Sequence, residues 1–271
     1  MPEETLSFSD SEREFLEKYL PPNSRQHDGK LPSITLTFAT SLDSSIALAP
    51  GVRTQLSGPR SKAMTHYIRS RHDAILIGVG TAAADDPALN CRLEGAGGYG
   101  SDGLSQQPRP IVIDPSARWA LSEQSRILVL AKAGRGRAPY ILTSNPSPPK
   151  ESVELLERYG GKYISMGLSK VVAGRSHLDW KTILEQLKDE GLHSIMVEGG
   201  GSIINSLLEP QNQNHVSSVI VTIAPLWLGQ GGVVVSPEQG TDETGTVITA
   251  STLKAVKWHP LGEDIVLCGT F

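Results

Sequence analysis

Cysteine is nearly missing from this chain. Its 271 residues contain two, Cys91 and Cys268, too few for a disulfide framework or a cysteine-rich zinc site. No H-x-E occurs together with a C-x-x-C, which excludes zinc-deaminase chemistry. The seven histidines show no H-x-x-x-H spacing and read as surface or core residues. A G-x-S-x-G elbow is also absent, which argues against a serine hydrolase. Aromatic residues make up only 5%, so aliphatic side chains must fill the core. Neither sign of charge dominates: 25 Lys and Arg stand against 29 Asp and Glu, a poor balance for a general nucleic-acid binder. Apolar runs such as Ile75-Leu76-Ile77 and Val219-Ile220-Val221 are far too short to cross a bilayer. The opening Met1-Pro2-Glu3-Glu4-Thr5 lacks the basic and apolar regions of a secretory signal. From these absences we expect a reduced, soluble, cytoplasmic protein with no metal, no nucleic-acid partner and no membrane anchor.

Turn-forming residues, by contrast, are plentiful. Twenty-seven glycines and 18 prolines suit many short elements joined by tight turns. Ile34, Leu36 and Phe38 alternate with Thr35 and Thr37, the period of a strand. Helical spacing follows from Ser61, read as the cap, to about Arg71. The unbroken apolar run Ala74–Val79 then predicts a strand buried on both faces, the habit of parallel sheets. Further strands are expected at 111–113, 127–130, 140–143, 194–197 and 218–224. Helices are expected at 152–159, 180–190 and 202–208, with Asp179 capping the second and Gly191 stopping it. The Gly- and Ser-rich stretch 94–107 reads as a surface insertion, and 255–267 as two strands joined through Leu261–Asp264. Residues 1–30, with helical spacing over 11–20, read as an N-terminal extension to one domain spanning 31–271. Strands alternating with helices, then strands gathered at the end, predict an α/β fold. Its central sheet should be mainly parallel, with helices on both faces and antiparallel strands at one edge.

In such sheets ligands bind beyond the carboxyl ends of the strands. One such end reads Val197-Glu198-Gly199-Gly200-Gly201-Ser202-Ile203. Three glycines let backbone approach a ligand, and the following helix offers N–H groups to a phosphate. The same triplet also suits a tight turn that needs no ligand. It is not G-x-G-x-x-G, and no G-K-[ST] is present, so Rossmann and Walker loops are not indicated. Glu198 has little packing reason to close an apolar strand. A second end runs from Gly78 to Pro87, with Thr81 and Asp85 placed to face the cleft and Asp86 read as a turn cap. At a third, Thr40-Ser41-Leu42-Asp43, the aspartate either caps the next turn or serves the site. With no metal spacing and no activated nucleophile, chemistry carried by a bound nucleotide cofactor is favoured.

Five ordered segments resemble the motifs of the riboflavin-pathway reductase family. They are Thr40-Ser41-Leu42-Asp43-Ser44-Ser45-Ile46-Ala47, the His66–Thr81 block with Arg69 and Asp73, Asp85-Asp86-Pro87 with Leu89 and Arg92, Arg109-Pro110-Ile111-Val112-Ile113-Asp114, and Val197-Glu198-Gly199-Gly200. The match runs from about Ile34 to Phe271 and is to the free-standing type with no fused deaminase. The resemblance implies a dihydrofolate-reductase-like fold, NADPH as hydride donor, a homodimer and a phosphorylated pyrimidine substrate. It implies reduction of a ribosylamino side chain to ribitylamino, with hydride adding to C1′ of the ring-opened imine. By resemblance, Thr81, Asp85, Met166 and Glu198-Gly199-Gly200-Gly201-Ser202-Ile203 hold the cofactor. Ser57, Arg69, Leu89, Arg92 and Glu198 contact the substrate, the arginines as partners for its phosphate. Asp85 and Glu198 are the two candidate catalytic proton sources. Thr143-Ser144-Asn145 is one guess for the cofactor's 2′-phosphate. The family's usual glycine after S-L-D is Ser44 here, which questions the tightness of that turn. Two other readings stand beside this one: an NADPH reductase of another pteridine or pyrimidine, and a nucleotide-sensing protein that kept the fold.

Overall fold

Alternating threonines and aliphatics build β1 (Ser33–Thr40) at the centre of a nine-stranded sheet. The structure is a computed structural model that describes residues 4–22, 29–166, 170–172, 175–177, 179–240, 245–246 and 250–271. The other strands are β2 (Ala74–Gly78), β3 (Arg109–Ile113), β4 (Tyr140–Thr143), β5 (Lys162–Ser165), β6 (Ser194–Gly199), β7 (Val216–Ile223), β8 (Lys254–Leu261) and β9 (Asp264–Thr270). Their spatial order is β8-β9-β7-β1-β6-β2-β3-β4-β5. Pairing is parallel from β7 across to β5, and β9 and β8 close one edge antiparallel. The α/β expectation therefore holds, including the antiparallel edge.

Period-2 alternation sorts side chains to the two faces. Ala74 and Leu76 of β2 join Ile195 and Val197 of β6 on one face, under α5 (Trp180–Asp189) and α6 (Gly201–Leu208). Ile75 and Ile77 point the other way. That face is covered by α1 (Pro59–Ser70), α2 (Val79–Asp85), α3 (Arg126–Lys132) and α4 (Lys150–Arg158). Asp179 caps α5 as expected, accepting the Thr182 N–H at 3.2 Å.

Chain order places the site. From β1 the chain steps outward through β2, β3, β4 and β5, then returns to insert β6 between β1 and β2. The carboxyl ends of β1, β6 and β2 thus meet where strand order reverses, the usual crevice of an open α/β sheet.

Five local expectations change, the last of them the cap of α1. Residues 127–130 form a helix, α3, and not a strand. Val129 is half exposed while Ile127, Leu128 and Leu130 are buried, and Asp86 accepts the Arg126 N–H at its start at 3.0 Å. The Gly80–Asp85 stretch is helical, its alanines carrying α2 on from Gly78. Gln107 folds the 94–107 segment inward by exchanging hydrogen bonds with the Cys91 backbone at 2.9 and 2.7 Å. The extension does not hang free either. Among its described residues it forms only short helical turns, at Asp10–Arg13 and Glu17–Tyr19. Phe8, Phe15, Leu16, Tyr19 and Leu20 are buried against Met64, Tyr67 and Ile68 of α1. No helix among the described residues is long and apolar enough to cross a membrane.

The N-terminus of α1 is capped from far away. Its N-cap is Gly58, with Pro59 opening the helix, so Ser61 lies inside it. Asp264, the first residue of β9, accepts the Gly58 N–H at 2.8 Å and the Ser61 hydroxyl at 2.5 Å. Asp264→Ala is expected to cost about 1–2 kcal/mol, read as a lower urea midpoint at unchanged m-value. An unshifted midpoint would show that the cap contributes nothing.

Candidate active site

The bends after β2 and β6 touch. These strands pair Met196 with Ile75 and Val197 with Leu76, then Gly199 with Ile77, so Glu198 is the extra residue of a bulge. A bulge re-aims the side chain it carries. Beyond it, Gly199 has a φ of 111°, and the Gly199–Gly200 peptide is cis. A Cβ on Gly200 would lie 2.7 Å from Thr81 Oγ1, so only glycine lets α2 approach this closely. Thr81 and Asp85 are four apart on α2 and share a face. Gly201 opens α6 and Ser202 is exposed beside it; the first N–H groups of a helix have no partner within it. Ile203 is buried, with its side chain against Gly78, so only its backbone belongs to the bend.

Glu198 and Arg69 form a two-pronged ion pair. Arg69 Nε donates to Oε1 and Nη2 to Oε2, both at 2.7 Å, with side chains 13% and 18% exposed. The third edge of the guanidinium donates to the Asn90 carbonyl at 3.0 Å. Asn90 had no signal in the sequence, because a backbone contact leaves none. Its side chain is itself held, donating to Tyr99 Oη at 2.8 Å and the Arg135 carbonyl at 2.9 Å. The paired arginine and glutamate were both singled out in the sequence, but as separate partners of the substrate.

Asp85 is in a different situation. Partial burial pushes its carboxyl above the usual carboxylate range, and the positive charge of Arg53 only partly opposes this. Arg53 lies on the exposed loop between β1 and α1 and was also missed in the sequence.

The remaining candidates lie around this centre. Arg92 is 8% exposed; its backbone N–H donates to His66 Nδ1 at 3.0 Å and Nη1 donates to the Glu4 carbonyl at 2.9 Å. Burial, with Arg69, Arg92 and Lys62 nearby, pushes His66 far below the usual imidazole range, so it is a neutral acceptor. Leu89 has a φ of 49° and its side chain is buried in the core beneath α2 and α3, which leaves its backbone for any ligand. Ser57 precedes the α1 N-terminus, where the Asp264 carboxylate already takes the place an anion would occupy. Met166 follows β5 and donates its N–H to Thr143 at 2.7 Å. It stands three strands from β2, about 14 Å along the line of strand ends. Thr143 and Asn145 satisfy their own turn: Thr143 Oγ1 accepts the Asn145 N–H at 3.2 Å, and Asn145 Oδ1 the Ser147 N–H at 2.9 Å.

Asp43 acts as a cap. It accepts the Leu228 and Gly229 N–H groups at 3.2 and 2.7 Å and the hydroxyl of Ser41. The Ser41 hydroxyl and these amides hold its carboxyl below the usual range. Ser44 beside it has a φ of 61°, so the turn keeps a glycine-like shape without glycine. Ser44→Gly is expected to stabilise the chain by about 0.5 kcal/mol, left-handed strain outweighing the added unfolded-state entropy; a lower melting temperature would contradict this.

The fold and the comparisons with known proteins place the chain among oxidoreductases of the dihydrofolate-reductase-like class. The chain belongs to the RibD C-terminal domain family, whose model matches residues 32–267. It is 42% identical over 265 residues to the 2,5-diamino-6-ribosylamino-4(3H)-pyrimidinone 5′-phosphate reductase of Debaryomyces hansenii, covering 97% of each protein. The reductase of the same name from Methanothermobacter thermautotrophicus is 30% identical over 239 residues, 87% of this chain and 96% of that one. Among solved structures, the Saccharomyces riboflavin biosynthesis reductase Rib7 superposes with a TM-score of 0.72 at 33% identity, covering 95% of this chain and 98% of that one.

Proposed function

We propose that this chain reduces 2,5-diamino-6-ribosylamino-4(3H)-pyrimidinone 5′-phosphate with NADPH, converting the ribosylamino side chain to ribitylamino. The observation that carries this is the contact of Thr81 with Gly200, beside a Glu198 locked in the fork of Arg69. The residues fit a dinucleotide: glycine at 200 brings the bend against Thr81 without a side chain between them, and the first turn of α6 presents N–H groups to phosphate. When bound, NADPH supplies a hydride from its nicotinamide ring. The chain's share is to align the C1′–nitrogen double bond of the ring-opened sugar and to supply charge and a proton.

Gly199, Gly200, Gly201 and Ser202 would hold the pyrophosphate through their backbone, Thr81 would orient the nicotinamide half, and Met166 would lie toward the adenosine. Glu198 offers a fixed carboxylate beside the side-chain nitrogen, where positive charge develops before the hydride adds. Asp85, whose carboxyl burial keeps protonated to higher pH, gives that nitrogen its proton. Arg92 serves the phosphate, because Arg69 is directed to Glu198 and Asn90. Leu89 through its backbone and Ser57 through its hydroxyl, not the α1 N-terminus that Asp264 caps, complete the substrate side. Residues 31–271 act as one reductase domain, as a cytoplasmic homodimer.

Absorbance at 340 nm tests the reading. The purified chain should consume NADPH only when the authentic pyrimidinone phosphate is present. No turnover with that compound would reject the assignment, and equal turnover of a phosphate-free analogue would transfer it to another pyrimidine or pteridine.

A further inference from the structure

The extension reaches the substrate side of the site. Leu6 donates its N–H to the Arg92 carbonyl, and Glu94 donates back to the Leu6 carbonyl, both at 2.9 Å. This makes a parallel bridge between Leu6 and Leu93. Two residues earlier, the Glu4 carbonyl takes Arg92 Nη1 at 2.9 Å. The extension therefore holds the Arg92 guanidinium, while His66 of α1 holds the Arg92 backbone N–H.

Farther along, the same segment clamps α1 at both ends. Glu12 pairs with Arg60 at 2.6 and 3.0 Å. Glu17 pairs with Arg71 at 2.7 and 2.8 Å and accepts the Tyr67 hydroxyl. Between those clamps α1 carries Arg69, which fixes Glu198. Among the described residues, no hydrogen bond joins residues 4–22 to α2 or α6. The extension thus braces one half of the site only.

We propose that residues 4–20 are a positioning strap for the substrate half, seating Arg92 and the Arg69 helix so that they set affinity for the phosphorylated substrate. The dinucleotide half is left to α2 and α6. This rests on reading Arg92 as a substrate-side residue. The physical ground is pre-organisation: a long side chain already fixed by a carbonyl need not be ordered when the ligand arrives.

Two variants test it. Leu6→Pro deletes the N–H given to the Arg92 carbonyl and with it the bridge that brings the extension to Arg92, and removal of residues 1–8 deletes the Glu4 carbonyl as well. Each is expected to raise the KM for the pyrimidinone phosphate about tenfold, while kcat changes less than about threefold and NADPH affinity, by fluorescence titration, less than about twofold. An unchanged substrate KM overturns the proposal. So does a parallel loss of NADPH binding, which would make the segment a general stabiliser. If the intact chain turns over no substrate, the proposed function falls by itself. Calorimetry with ribose 5-phosphate then decides the strap: weaker binding by Leu6→Pro supports it, and equal binding, or none to either chain, overturns it.

Discussion

Asp85→Asn is expected to lower kcat by about 10²–10³-fold, the usual contribution of a positioned general acid. The substitution keeps shape and removes only the transferable proton. Asp85 is suited to the task because burial raises its carboxyl pKa and the exposed Arg53 compensates only in part. A general acid works in its protonated form, so kcat should be highest below the Asp85 pKa and fall as pH rises through it. That break should lie above the ordinary carboxylate range and vanish in Asp85→Asn. A variant that keeps wild-type kcat, or keeps the same break, would remove Asp85 from the chemistry.

The second large effect belongs to the Arg69–Glu198 pair. Arg69→Ala leaves a carboxylate that is 18% exposed without its guanidinium, a loss of about 3 kcal/mol. The same loss should appear in kcat/KM, because Glu198 is then free to rotate away from the substrate. Arg69→Lys is expected to rescue little: an ammonium replaces the charge but not the two parallel hydrogen bonds at 2.7 Å. A double-mutant cycle with Glu198→Gln should give a coupling of about 2 kcal/mol. Additive effects, or full rescue by lysine, would show that the fork does not position the glutamate.

The parts of the fold visible in the sequence are those written in local periodicity. Thr35 and Thr37 among aliphatics mark β1, the unbroken apolar run marks β2, and Asp179 before Trp180 marks the start of α5. Ile127-Leu128-Val129-Leu130 defeats that logic, since four apolar residues suit a strand or a buried helix equally. What decides it is Asp86, 40 residues earlier, whose carboxylate meets the first turn of α3. The site shows the same division. Thr81, Asp85 and Glu198 are conspicuous because polar groups at the ends of apolar strands have little packing purpose, and the triple glycine because a run without side chains marks a close backbone approach. That Arg69 pairs with Glu198 could not be read, because the two are 129 residues apart and the bulge that turns Glu198 toward it has no sequence mark. The same distance effect hid the cap from Asp264, which changes the surroundings of Ser57, and the carbonyl of Asn90 behind Arg69.

Crystals grown with NADPH test the central claim most directly. The nicotinamide ring should lie in the crevice at the carboxyl ends of β1, β6 and β2, beside the contact of Thr81 with Gly200, with its pyrophosphate on the first turn of α6. A dinucleotide bound instead at the opposite end of the sheet, in the cleft lined by Gly29, Leu31, Ser33 and His215, would contradict the account.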